Sequence, residues 1–469
     1  MKVVDMGELL TSSLVADEAA VRANVRRAAR FRRTWPSVAY SLGLAHEDRN
    51  PTLADKWAGR QRAEKSMVRI RTPRIMHMSV DQYGVTMVVR TVRGVGRKHF
   101  ADAAGSLADE WQMRQVWARA LDDEDEWGPG FVELRTVHTD PLTRTVAATR
   151  PPVPKDLTRL ELGHGERGQP EYLPLAQSAG VTVMGASGYG KTQFARSLVI
   201  KLAPSPLVQF AGANGKTTRA DRGDYRVLRP RYAHLVGSDL KEVNALLTGL
   251  EAEMYRRLDH MFDWWGCDEF WDHGPTLEVP VLVTTLDECQ VYLTTSAPAS
   301  SPRGQLVADN VEKATNLVKM GRAAGLITFF MTQKGTGNAI PTDIRDVATG
   351  AMTFPVRSRA QAQAALGDEI LDFPDKDPRK ILRHPYRGVG TFLPDGAEEF
   401  TRFKSPLTSL ELAEEVCGAT AHYVREIPGV SVGRTRTPGG GAQTIELSKA
   451  RAARAAKSAR RTRPDGGRP

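Results

Sequence analysis

Eight residues, GASGYGKT from Gly185 to Thr192, put three glycines, a lysine and a hydroxyl in an order that suits a polyphosphate. Gly185, Gly188 and Gly190, with Ala186, Ser187 and Tyr189 among them, let the backbone turn tightly, so that successive N–H groups converge on phosphate oxygens. Lys191 then neutralises charge on the β- and γ-phosphates, and the Thr192 hydroxyl serves as a ligand for Mg²⁺. An apolar run, VTVM, ends just before Gly185, and a helical pattern, TQFARSLVIKL, follows it. That strand, loop and helix are the context the motif requires, and together they mark an ATP site.

A phosphate loop alone binds nucleotide; hydrolysis also needs a metal carboxylate and a group that activates water. VPVLVTTLDECQ supplies both at the end of one apolar run: Asp287 to hold Mg²⁺ and Glu288 to orient and deprotonate the attacking water. A second apolar run, LITFFM, leads into Thr332-Gln333, where Gln333 can sense the γ-phosphate or position water. FAGANGKTT, Phe210 to Thr218, repeats the Gly-Lys-Thr ending, but Phe210 stands where the first glycine belongs. Spacing therefore denies it a second phosphate site.

The elements around these residues read as an α/β fold. After PPVPK at Pro151, apolar runs alternate with helical patterns for more than two hundred residues. Apolar runs without alternation are strands covered on both faces, which predicts a parallel sheet between helices. Upstream, RIMHMSV, VTMVVRTV, a helix across HFADAAGSLADEW, QVWARAL and FVELRTV predict a small α+β domain. The expected division is a basic, partly helical region at 1–70, the small domain at 71–150, the motor at 151–430 and a basic disordered tail at 431–469. In that tail ten Lys/Arg face only Glu446 and Asp465, 10 − 2 = +8, most of the chain's formal +10. Few large apolar residues are there to fold it.

At 469 residues the chain has room for two or three domains. Its longest apolar runs are too short to span a bilayer, and MKVVDMGELL has no cationic and apolar leader, so membrane contact is expected to be peripheral or through a partner protein. Cys267, Cys289 and Cys417 lie far apart, in neither a disulfide nor a zinc pattern, which fits a reducing cytoplasm.

The order of GASGYGKT, the run LVQFAGANGK, a helix with EAEMYRRLDHM, LDE, a helix ending GRAAG and FFMTQ resembles the FtsK/SpoIIIE family of hexameric DNA-translocating ATPases, over roughly Leu173 to Pro394. With the α+β unit ending in Asp140-Pro141-Leu142, the chain is most similar to the transfer ATPases of conjugative plasmids in mycelial bacteria. The resemblance implies a RecA-like motor, ATP and Mg²⁺, double-stranded DNA as partner, a homo-hexamer and transfer of DNA between cells. It also implies that Arg322 reaches a neighbouring subunit's γ-phosphate as an arginine finger. A protein-secretion ATPase of the same superfamily and a nucleotide-switched DNA-binding protein are the alternatives.

Three departures stand out. The family usually has Asp-Pro-Lys where FAGANGKTT lies, so this stretch is expected to be a structural or subunit-contact loop. Tyr189 sits within the phosphate loop, and Lys334 follows Thr-Gln where an Arg is frequent. After the motor only SLELAEEVCGATAHY and the basic tail remain, with no winged-helix domain to read a DNA sequence.

Overall fold

The helical pattern near the N-terminus forms helix α1, Glu18–Ser41, in the computed structural model, which describes residues 17–48 and 69–430 apart from 124, 221, 334–338, 383, 394–396 and 398. The tail at 431–469, Lys334, and the segments 1–16 and 49–68 of the N-terminal region lie outside the described residues. Asp17 caps α1 by accepting from the Ala20 N–H at 3.1 Å.

The small domain is built as expected, from β3 (Arg74–Val80), β4 (Gly84–Arg90), helix α2 (Arg97–Trp111), β5 (Gln115–Ala120) and β6 (Phe131–Val137). Its sheet is antiparallel in the order β3-β4-β6-β5. The expected boundary at residue 70 does not separate α1 from it. Phe31, Trp35, Val38 and Ala39 of α1 are buried in one core with Trp111 and the β4 side chains. Phe31 stacks on Trp111 with centroids 4.4 Å apart, and the Trp35 indole N–H donates to the Pro73 carbonyl at 2.6 Å. An aromatic stripe of this size needs an apolar partner, and the sheet supplies it. A two-stranded ribbon, β1 (His46–Asp48) with β2 (Arg69–Arg71), completes this part.

The motor is one ten-stranded sheet in the order β11-β10-β12-β13-β9-β14-β15-β16-β7-β8. Its strands are β7 (Arg159–Gly165), β8 (Pro170–Pro174), β9 (Gly180–Met184), β10 (Val208–Asn214), β11 (Tyr232–Val236), β12 (Val281–Asp287), β13 (Leu326–Met331), β14 (Gly350–Thr353), β15 (Val389–Phe392) and β16 (Thr401–Lys404). The six from β11 to β14 are parallel, as the apolar runs imply. The remaining four are antiparallel, so the sheet is mixed rather than wholly parallel. Of these, β7 and β8 form a hairpin, and β15 and β16 have four residues each, too little pattern to read.

Four helices matter for the site: α3 (Lys191–Leu202), α4 (Leu240–Trp265), α5 (Pro302–Ala324) and, beyond the sheet, α6 (Leu410–Ala419). Register brings the carboxyl ends of the central strands level. Asn214 pairs with Asp287, Asp287 with Met331, and Met331 with Val183. Everything that follows these four residues emerges at one edge of the sheet, the place where open α/β sheets hold ligands. No helix among the described residues is long and apolar enough to cross a membrane.

Candidate nucleotide site

The loop after β9 has the backbone that its glycines imply, with φ of 143° at Gly185, 83° at Gly188 and 121° at Gly190. Helix α3 then starts at Lys191 behind Gly190, with no side chain capping its first N–H groups. Those donors and the positive end of the helix are left for an anion. Ser187 is exposed, while Tyr189 packs partly against the main core and its carbonyl accepts from the Gly388 N–H at 2.9 Å.

The Lys191 side chain is 4% exposed and its ammonium donates to the Gly185 and Ala186 carbonyls, the latter at 3.2 Å. Burial pulls its pKa down to about 8, with the nearby carboxylates of Glu288 and Asp287 opposing the shift. A phosphate at the loop would compensate that desolvation.

At the end of β12, Asp287 is 2% exposed and Glu288 7%. Burial raises the Asp287 pKa, and the ammonium of Lys216 works against that shift. Glu288 has φ of 50°, a left-handed conformation rare for a residue with a side chain and found disproportionately at functional sites. Its Oε2 accepts from the Gln290 side-chain amide at 2.8 Å and from the Gln333 backbone N–H at 3.1 Å. The Thr332 hydroxyl donates to Gln290 Oε1 at 2.7 Å, closing the network between the ends of β12 and β13.

Two residues here were not legible as site residues. Gln290 lies two positions beyond the Asp-Glu pair, and nothing in its local sequence marks it. Lys216 belongs to FAGANGKTT. That stretch is no second phosphate loop, since Phe210 to Asn214 are buried strand. The loop reaches the site itself, because Lys216 Nζ lies 3.0 Å from Asp287 Oδ2 and 3.2 Å from Thr192 Oγ1. The pairing of β10 with β12 carries it there.

Beside the loop opens a cleft of about 610 Å³, within the range that holds small ligands. It is lined by Gly188, Gly190 to Gln193 and Gln333, and by Thr143, Thr145, His384, Pro385, Arg387, Gly388 and Lys404 to Leu407. Lys404 donates to the Pro385 carbonyl at 3.0 Å, and burial pulls its pKa down to about 8.

Gly185 to Thr192, Asp287, Glu288 and Gln333 thus meet at one edge. Arg322 does not join them. It sits at the carboxyl end of α5, half exposed, 3.6 Å from Glu269, and the whole length of β13 separates it from Thr332.

Comparison with known proteins divides along the same line. Residues 20–138 match the Actinomycete conjugal transfer protein N-terminal domain. A "Sporulation regulatory protein" of Streptomyces azureus is 26% identical over 262 residues, 54% of this chain and 80% of that one. The pCW3 conjugation coupling protein TcpA, a monomer with ATPγS, superposes with a TM-score of 0.50 at 10% identity, over 83% of this chain and 99% of that chain. That likeness is one of fold. The cytoplasmic domain of the Thermomonospora curvata type VII secretion ATPase EccC gives 0.47 at 20% identity, over 61% of this chain and 34% of the other.

Proposed function

We propose that this chain, an FtsK/SpoIIIE-like P-loop ATPase with an actinomycete conjugal transfer N-terminal domain, hydrolyses ATP to drive double-stranded DNA through a ring of its own copies during conjugation. The observation that carries the reading is the convergence of Lys191, Thr192, Asp287 and Glu288 at the carboxyl edge of the parallel strands. The description of the N-terminal domain and the fold shared with a protein named for conjugation coupling support the biological setting.

The triphosphate lies along the Gly185–Lys191 backbone, and Lys191 exchanges its carbonyl partners for phosphate oxygens. Thr192 and Asp287 fit Mg²⁺, since a hydroxyl and a buried carboxylate there already share one cation, the ammonium of Lys216. When bound, that ion would neutralise charge on the β- and γ-phosphates. Glu288, fixed by Gln290 and the Gln333 N–H, takes a proton from the attacking water. Arg322, exposed on the far edge of the sheet, acts on the γ-phosphate of an adjacent copy as charge develops. Thr143, Thr145 and the segments at 384–388 and 404–407 border the nucleoside.

DNA is gripped through its uniform phosphate backbone, and the ten cations of 431–469 hold it near the ring without reading sequence. The ring is a hexamer in the cytoplasm, with membrane contact peripheral or through a partner protein.

The test is ATP hydrolysis with and without duplex DNA. Stimulation by DNA, loss of nucleotide binding in Lys191→Ala, and intact binding without turnover in Glu288→Gln are the expected results. Hydrolysis indifferent to DNA would overturn the translocase reading; equal loss of binding in both variants would overturn the site.

A further inference from the structure

Asp287 is a buried carboxylate, and such a group is costly without a counter-charge. Among the described residues Lys216 alone lies within ion-pair distance of it. The contact is built in by the backbone rather than reached by a wandering side chain. Asn214 is the last residue of β10 and pairs with Asp287. Gly215 then donates its N–H to the Asp287 carbonyl at 2.8 Å, so close that a Cβ on Gly215 would stand 2.8 Å from the carbonyl oxygens of both Asp287 and Glu288. Only glycine passes there. Asn214 Oδ1 accepts from the Lys216 N–H at 3.1 Å, turning the chain so that the lysine faces back over the end of β12.

The ammonium that arrives touches Thr192 Oγ1 and Asp287 Oδ2, the two oxygens assigned above to Mg²⁺. A monovalent cation and a divalent one cannot share two oxygens at these distances, because they would overlap and their like charges repel at contact. We propose that Lys216 is an internal counter-ion that closes the Mg²⁺ position in the nucleotide-free protein and is displaced when Mg²⁺ and nucleotide bind. The proposal rests on the ATP reading of the site. Thr192 is the last residue of the phosphate motif, so the displaced ammonium stays within reach of the β- and γ-phosphates.

Displacement has somewhere to be felt. The carbonyl of Thr217 accepts from the Ser238 N–H at 2.8 Å, and Ser238 precedes Asp239, the residue capping α4. The segment from Asn214 to Thr217 therefore joins the metal position to the start of the longest helix in the motor.

The experiment uses the full chain and two variants, Lys216→Met, which keeps the volume without the charge, and Lys216→Gln, which keeps a donor. Thermal unfolding is followed without nucleotide, in chelator and in millimolar Mg²⁺ alone. Both variants should melt below the parent in chelator, and Mg²⁺ should raise their melting temperature while hardly moving the parent. The Mg²⁺ concentration giving half-maximal binding of a fluorescent ATP analogue should fall about tenfold in Lys216→Met, as removal of a competing charge in direct contact requires. Equal Mg²⁺ responses in parent and variants would overturn the proposal. Because the melting experiment contains no nucleotide, that outcome is distinct from failure of the ATP reading, which would appear as undiminished analogue binding in Lys191→Ala.

Discussion

The Tyr386 hydroxyl donates to Asp140 Oδ2 at 2.8 Å, and the same oxygen accepts from Arg114 of the small domain at 2.9 Å. Tyr386 lies between His384 and Arg387, which border the nucleotide cleft, and Asp140 caps the turn that leads to Thr143, which borders it too. One carboxylate thus ties the small domain to two segments that border the cleft. The Arg114 side chain is 53% exposed, so its ion pair contributes little, while the Tyr386 bond is sheltered and matters more. Tyr386→Phe should weaken ATP binding about three- to tenfold, the equivalent of one hydrogen bond, and Arg114→Ala by less. Nucleotide titrations that give the reverse order would refute this.

Gln290 holds Glu288 at 2.8 Å and is itself held by the Thr332 hydroxyl at 2.7 Å. Gln290→Leu keeps the volume and removes both hydrogen bonds, so the carboxylate loses its orientation while the phosphate contacts remain. Turnover should drop about 10- to 100-fold, the usual cost of small misplacement, with ATP affinity unchanged. A parallel rise in KM would instead indicate a general collapse of the site.

Buried in α4, Glu253 accepts from Arg256 Nε at 2.6 Å and Arg257 Nε at 2.8 Å, and Arg257 also donates to the Pro280 and Ala324 carbonyls at 2.9 Å each. Arg257→Ala leaves Glu253, 1% exposed, with Arg256 as its one counter-ion and frees two carbonyls at the starts of β12 and β13. Stability should fall by about 1–3 kcal/mol in urea unfolding, whereas the paired change Glu253→Leu with Arg257→Met should cost less, since the one charge it leaves alone, that of Arg256, is on a side chain 36% exposed. Additive losses would rule out the pair as a unit.

These residues explain what could and could not be read from the chain. EAEMYRR and GRAAG are among the motifs that carry the family resemblance, and the first, like the closing glycine of the second, is structural. The first locks α4 to the sheet; in the second, Gly325 ends α5 with φ of 73° where any Cβ would meet the Phe270 ring at 2.6 Å. Local spacing records such requirements, as it records the phosphate loop and the Asp-Glu pair. Lys216, Gln290 and Tyr386 act across strand register or between distant segments, and short-range pattern carries no trace of that. The same holds for α1, whose apolar stripe is evident while its partner, the small domain, is not.

His164 on β7 is 2% exposed, with Nε2 2.8 Å from the Pro141 carbonyl and its ring 5.2 Å from that of Tyr83. Burial, helped by the charges of Lys404 and Arg144 against that of Asp140, pulls its pKa down to about 4 from an ordinary value near 6.5. Between those values the unfolded chain takes up a proton that the folded chain refuses, so stability falls as pH drops through that window. The loss should reach about 3 kcal/mol, near 1.4 kcal/mol per pH unit. His164→Gln should flatten this part of the melting profile; an unchanged slope would assign it to other groups.

Arg322 points to a role that one copy cannot perform alone. It ends α5 at the start of β13, while its own phosphate loop and Glu288 lie past the strands' far ends, and its ion-pair partner, Glu269, is a half-exposed carboxylate 3.6 Å away that gives little stability. Arg322→Ala should therefore fold and bind ATP normally yet hydrolyse it at least about a thousandfold more slowly, the range for a missing arginine finger. Mixing it with Lys191→Ala copies should restore part of the activity, because a Lys191→Ala copy still offers its arginine to the intact ATP site of an Arg322→Ala neighbour. Full activity of Arg322→Ala by itself, or mixtures no more active than their parts, would remove Arg322 from the reaction.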